Sequence, residues 1–218
     1  MPPRFATVAF DADSTLSDLE GIDWLASLRT PALAAKIARL TTDAMEGRIA
    51  IEAVYGKRLA AIAPTRDEVS RLANVYCERA DPAAAACVGA LQRAGVRVAI
   101  VSGGLRPALL PMARMLAIAE DDVYGVPVTF GPDGSYAGFD ETSVLTREDG
   151  KARMAMELSD RYGRPMLHIG DGMTDAATHG LADAFAAYVG FARRERVVAS
   201  ADFVVGSFED VTALVLGS

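Results

Sequence analysis

The feature that most constrains the fold is an alternation. Short apolar runs at residues 5–10, 96–101, 166–169, 184–189 and 203–205 are separated by stretches of helical periodicity. Val96 to Val101 is rich in β-branched residues, as a parallel strand buried on both faces requires. Strands alternating with helices at this spacing predict an α/β fold built on a doubly wound, mostly parallel, Rossmann-like sheet. Ligands of such sheets bind outside the carboxyl ends of the strands. The 218 residues, 51% of them apolar, are enough to bury about 70% of the unfolded surface.

The alternation breaks once. From about Leu16 to Arg79 the pattern is helical throughout, with segments at Trp24–Leu28, Leu33–Ala44, Ile49–Ile62 and Asp67–Arg79. Pro31, Gly47 and Pro64 fall at helix boundaries, and Thr65-Arg66-Asp67-Glu68 has the form of a capping box. The reading is a Rossmann-like core of residues 1–16 and 80–218 with a helical cap, residues 17–79, inserted after the first strand. Past the insert, Asp81-Pro82 predicts a helix start with Asp as N-cap, and Gly95 a helix end. Further helices are expected at Pro107–Ala117, Lys151–Tyr162 and after Ser207, and a β-hairpin within Val123–Phe139.

Net charge narrows the function classes. At −7 the chain lacks the basic face expected of a nucleic-acid or anionic-membrane surface, so small-molecule work is expected. Cys77 and Cys87 match no zinc spacing and make no disulfide framework; both read as reduced and structural. Neither an apolar leader nor a run of about 18 apolar residues occurs, so a soluble, cytoplasmic protein is expected.

The first strand runs into Phe10-Asp11-Ala12-Asp13-Ser14-Thr15. Two carboxylates two residues apart in extended backbone face one volume, where they repel unless a cation or a shared proton relieves them. Alone, this is more simply a strand ending in a polar turn. Two other strand ends add to it. Ser102-Gly103-Gly104 offers a hydroxyl and glycine amides before a helix, suited to an anion, although a tight turn explains the tripeptide equally well. Gly170-Asp171-Gly172-Met173-Thr174-Asp175 brings two more acids to the same edge, and converging carboxylates suggest a hard cation, Mg2+ being the usual partner of phosphate. Lys151, at a helix start where the dipole disfavours a cation, needs a negative partner. His168, in a buried strand, reads as a hydrogen-bonded core residue, His179 as a surface one, and Trp24 as part of the cap core.

In this order the motifs resemble the haloacid dehalogenase superfamily of aspartate-nucleophile phosphatases. The resemblance also covers Glu20-Gly21-Ile22-Asp23, Gly138-Phe139-Asp140-Glu141-Thr142 and Gly150-Lys151, and spans nearly the whole chain. It implies that Asp11 attacks phosphorus, that Asp13 serves as acid and base, and that Ser102, Gly103 and Lys151 hold the phosphoryl oxygens. It further implies Mg2+ on Asp11, the main-chain carbonyl of Asp13 and Asp171, with Asp175 in support. The implied substrate is a small phosphorylated amino acid, O-phosphoserine, bound at its ammonium by Glu20 and at its carboxylate by Arg58, with Met45 and Thr174 beside it. Two departures stand out: Ala12 is small between the two acids, and Glu46 places a negative charge next to Met45, near the expected carboxylate position. Another small phosphomonoester, transfer to an alcohol instead of water, a non-enzymatic phosphate- or partner-binding role, and monomer against homodimer all stay open at this point.

Overall fold

The computed structural model describes residues Pro2 to Gly217. Six strands form one parallel sheet: β1 (Thr7–Phe10), β2 (Arg97–Leu105), β3 (Val123–Val126), β6 (Met166–Gly170), β7 (Ala184–Tyr188) and β8 (Phe203–Val205), in the spatial order β3-β2-β1-β6-β7-β8. A separate antiparallel pair, β4 (Val128–Phe130) and β5 (Tyr136–Phe139), forms the hairpin. Strands β1, β6 and β7 are buried at every position. Their near-continuous apolar sequence therefore packs helices on both faces of the sheet.

Between β1 and the next core helix lie α1 (Gly21–Ser27), α2 (Pro31–Met45), α3 (Tyr55–Ile62) and α4 (Arg66–Glu78). Pro31 occupies the first position of α2, where its missing N–H is unneeded. The Thr65–Glu68 capping box opens α4 with both reciprocal hydrogen bonds present. Leu25, Leu59, Leu72 and Tyr76 of these helices are fully buried in a hydrophobic core continuous with that of the sheet. Trp24 packs against the same core, with Arg71 over its ring. The remaining helices are α5 (Ala84–Arg93), α6 (Arg106–Met115), α7 (Gly150–Tyr162), α8 (Met173–Ala176), α9 (Glu195–Ala199) and α10 (Phe208–Leu216).

Three local expectations are corrected. Asp81 does not cap α5: its carboxylate accepts from Ala83 N–H at 2.8 Å and closes a turn around Pro82, so the helix starts at Ala84. Ser102-Gly103-Gly104 is not a turn but a bulged continuation of β2. The pairing with β3 skips from Val101 to Leu105, and α6 begins only at Arg106. Val123–Val126 joins the parallel sheet instead of the hairpin, because Pro127 lacks the N–H to continue a ladder and separates β3 from β4. Gly95 closes α5 at φ +84°, as expected. Cys77 and Cys87 are free thiols. No helix among the described residues is long and apolar enough to cross a membrane.

Candidate active site

Strand register builds the site. Phe10 pairs with Ile100 of β2 and with Ile169 of β6. Asp11 therefore leaves the sheet beside Val101 and Gly170, its N–H donating to the Ile169 carbonyl at 2.9 Å. Ser102 and Asp171 follow one residue later on the two neighbouring strands. Gly170 must be glycine, since a Cβ there would overlap the Asp175 carboxylate.

After Asp11 the backbone folds back on itself. Ser14 sits in the left-handed region at φ +49°, a conformation that disfavours a side chain by about 1–2 kcal/mol. Compensating hydrogen bonds run from Ser14 N–H to the Leu19 carbonyl (3.1 Å) and from Ser17 N–H to that of Ala12 (3.0 Å). The loop returns Glu20 to the neighbourhood of Asp13. Ser14 Oγ donates to Glu20 Oε1 at 2.8 Å, and Gly21 N–H to Asp13 Oδ1 at 3.1 Å.

Lys151 is the electrostatic centre. Its ammonium is buried and lies 2.7 Å from Asp11 Oδ2 and 2.8 Å from Asp175 Oδ1. These two carboxylates supply the negative partner that a lysine at a helix start requires. Burial alone would push the lysine's pKa down, but Asp11 and Asp175 outweigh it and hold the pKa above its usual range. Burial raises that of Asp11, with Lys151 opposing and Asp175 reinforcing. Asp175 is fully buried and nonetheless lowered, because Lys151 and His168 outweigh the desolvation. His168 Nε2 is 2.7 Å from Asp175 Oδ1, and Gly172 N–H donates to Oδ2 at 3.1 Å. His168 is thus the expected buried, hydrogen-bonded residue, and its partner is a candidate site carboxylate. His179 is exposed beside Asp202.

Asp13 has a different environment. Its Oδ1 accepts from Tyr76 Oη at 2.6 Å as well as from Gly21. Burial, Glu20 and Asp11 push its pKa well up. With Oδ1 engaged twice, Oδ2 is the oxygen turned to no hydrogen-bond donor among the described residues. Burial raises Glu20 to about 7, against the Ser14 hydrogen bond and the Arg194 charge.

Three carboxylates, Asp11, Asp171 and Asp175, bring one oxygen each within 4.8 Å of one another. An all-oxygen, anionic, buried set suits a hard divalent cation. Asp175 already accepts three hydrogen bonds, which fits support better than direct ligation. Asp171 forms an ion pair with Arg194 and lies 3.5 Å from Thr15 Oγ1.

A cavity opens on this cluster. Asp11, Asp13, Glu20, Met45, Arg58, Ser102, Gly103, Lys151, Asp171 and Thr174 all line it. Of the residues to which the resemblance gives a catalytic, binding or metal role, only Asp175 is off the wall, behind Lys151. Arg58 is buried; its Nη1 donates to Thr41 Oγ1 at 2.8 Å, and Thr41 in turn to Asp23. Its Nε has no hydrogen-bond partner among the described residues. Glu46, the departure beside Met45, is not on the cavity wall and pairs with Arg48. Ala12 is fully buried. Sequence reading missed Thr41, Tyr55, Tyr76 and Arg194. The two tyrosines fall within stretches of helical periodicity, and Arg194 stands among the neighbouring charges Arg193, Glu195 and Arg196.

The chain belongs to the haloacid dehalogenase-like hydrolases, whose family model matches residues 8–179. Its relatives include the chloroplastic phosphoserine phosphatase of Arabidopsis thaliana, 34% identical over 207 residues covering 94% of this chain and 70% of the relative. The phosphoserine phosphatase of Homo sapiens is 33% identical over 205 residues, covering 94% of this chain and 90% of the relative. Among solved structures, a phosphoserine phosphohydrolase-like protein from Francisella tularensis superposes with a TM-score of 0.88 at 27% identity, over 96% of this chain and 99% of that one. A phospho-aspartyl intermediate analogue of phosphoserine phosphatase shares the fold, with a TM-score of 0.80 at 22% identity over 96% of this chain and 98% of that one.

Proposed function

We propose that this phosphoric monoester hydrolase converts O-phospho-L-serine to L-serine and phosphate through an aspartyl-phosphate on Asp11. One observation carries the reading. A single cavity combines a lysine-clamped aspartate with a carboxylate, Glu20, and a buried guanidinium, Arg58. The first suits a phosphoryl group, and the other two suit the ends of an amino acid. Residues 17–79 act as the cap that carries Glu20, Met45 and Arg58, and Thr174 contacts the substrate from the core side.

Phosphate monoesters hydrolyse so slowly that enzymes accelerate them by up to ~10^21-fold, about 28 kcal/mol, mostly by positioning and charge neutralisation. Ser102 Oγ, Gly103 N–H and Lys151 Nζ hold the phosphoryl oxygens. Asp11 attacks phosphorus, the ester P–O bond breaks, and Asp13 Oδ2 delivers its proton to the departing serine oxygen. Asp13, now a carboxylate, takes a proton from water, which attacks phosphorus and regenerates Asp11. Burial, Glu20 and Asp11 raise the pKa of Asp13, which favours the acid form that the first step uses. Mg2+ held by Asp11, the Asp13 carbonyl and Asp171, with Asp175 in support, would neutralise charge on the phosphoryl oxygens.

Two results follow. Glu20 binds an ammonium only as the anion, and its pKa is raised to about 7. Hence kcat/KM for phosphoserine rises as pH increases through about 7, and Glu20→Gln flattens that limb at a low level; pH profiles of both proteins check this. Arg58→Ala lowers kcat/KM for phosphoserine about 10^2-fold, the usual loss when one partner of a buried charge pair is removed. Activity on phosphoethanolamine, which lacks the carboxylate, stays within about threefold of the wild type by the same reasoning. The reading itself is tested by phosphate release across a panel of small phosphomonoesters with Mg2+, with and without an alcohol acceptor. Phosphoserine is expected to be the best substrate and water the main acceptor. Preference for a monoester without an amino-acid head group overturns the substrate assignment.

A further inference from the structure

Tyr55 opens α3 and is 2% exposed on the cavity wall. Its hydroxyl donates to the Gly103 carbonyl at 2.6 Å, across 48 positions of sequence. Gly103 lies in the bulge of β2, where registered pairing stops at Ile100 on the β1 side and skips from Val101 to Leu105 on the β3 side. The strand ladder therefore does not orient the Gly103–Gly104 peptide. Its N–H end, on Gly104, donates to Ser102 Oγ at 3.0 Å. One peptide group is thus held at both ends, by a helix-insert phenol at the carbonyl and by the Ser102 hydroxyl oxygen at the N–H.

We propose that Tyr55 is a positioning residue for the phosphoryl site, acting through the Gly103–Gly104 peptide to aim the Ser102 hydroxyl into the cavity. The inference rests on the phosphomonoesterase reading above. When Gly104 N–H occupies one lone pair of Ser102 Oγ, the hydroxyl hydrogen is left to donate to a phosphoryl oxygen. Burial raises the Tyr55 pKa, which keeps the phenol a donor. The ring is itself braced: Phe139 meets it edge-on at 5.4 Å, and Gly56 leaves room for that ring. Arg58, one turn along α3, has its guanidinium carbon 5.8 Å from the Tyr55 ring centre. The helix that presents a cation for the substrate carboxylate therefore also sets the donor for the phosphoryl group, and the two ends of the site are aligned by one element.

The test removes a single oxygen. Tyr55→Phe keeps the ring and its packing, and its melting transition should stay cooperative. Inorganic phosphate is the probe of the phosphoryl end, because it has no group for Arg58 or Glu20. The expected result for Tyr55→Phe is a fall in kcat of about tenfold and a rise of about tenfold in the inhibition constant of inorganic phosphate. Inhibition by L-serine, which has no phosphoryl group, should change little. Ser102→Ala supplies the second arm: if Tyr55 acts through Ser102, adding Tyr55→Phe to Ser102→Ala lowers activity by less than about twofold more. Unchanged kcat and phosphate inhibition in Tyr55→Phe overturn the proposal, as do effects that multiply in full in the double variant. A wild-type protein that neither hydrolyses a phosphomonoester nor binds phosphate overturns the underlying reading as well. That outcome is distinct from an active wild type indifferent to Tyr55→Phe.

Discussion

Asp11→Asn is expected to reduce turnover of phosphoserine by at least about 10^4-fold, the scale seen when a covalent nucleophile is removed. The amide has the shape of the carboxylate but is a poor nucleophile, so no phosphoryl-enzyme forms. The fold should survive. Asp11 is a buried carboxylate whose pKa is already raised by desolvation, and exchanging it for a neutral amide removes an unfavourable charge. The Ala12 N–H that donates to Oδ1 at 2.7 Å retains an acceptor in the amide oxygen. Lys151 keeps Asp175 as its second partner. Circular dichroism and thermal melting separate the two effects: near-native melting with lost turnover is expected, and near-native turnover would remove Asp11 as nucleophile.

The largest stability effect is expected at Lys151. Lys151→Met fills similar volume but leaves Asp11 and Asp175 buried without their shared cation. Breaking a buried pair in this way costs about 3–5 kcal/mol, which for a chain of this size lowers the melting midpoint by about 6–20 °C. The loss depends on pH. Without Lys151 the folded pKa of Asp11, already above the unfolded value of 3.8, rises further, and Asp175 loses the largest influence that holds its pKa below that value. The native state then binds more protons than the unfolded state just above pH 3.8, so the variant becomes less stable as pH rises and the deficit shrinks on acidification. Melting with a chelator present measures this directly, and added Mg2+ should recover part of the loss by restoring positive charge. A pH-independent deficit would mean that packing rather than charge is lost.

How much of this was legible in the sequence depends on the range of the interaction. The ends of β1 and β6 were legible because the apolar run stops at or one residue before the strand does, and Asp11 and Asp171 come next; Ser102 also follows its apolar run, but inside β2. Lys151 was legible as an anomaly, a cation where the helix dipole disfavours it, though its partners lie in other elements. Glu20, Met45, Arg58 and Thr174 came from family resemblance alone, and all four line the cavity. Residues acting over long separations were not legible. Tyr55 and Tyr76 occupy helix positions that periodicity assigns to the core, and only the fold shows their hydroxyls ending on Gly103 and Asp13. Arg194 was hidden among neighbouring charges, although it pairs with Asp171. Boundaries failed for local reasons: an Asp81 turn competing with a cap, a bulge with no sequence signature beyond its glycines, and a proline that assigned β3 to the sheet and not to the hairpin.

The central claim is that a phosphoryl group passes through Asp11. Acid quenching of the wild-type enzyme during turnover of excess phosphoserine with Mg2+, followed by peptide mapping, tests it most directly. The account predicts one base-labile phosphoryl group on the peptide containing Asp11, and none in Asp11→Asn. Steady turnover with no phosphoryl group trapped on that peptide, or with the group on another residue, would contradict it.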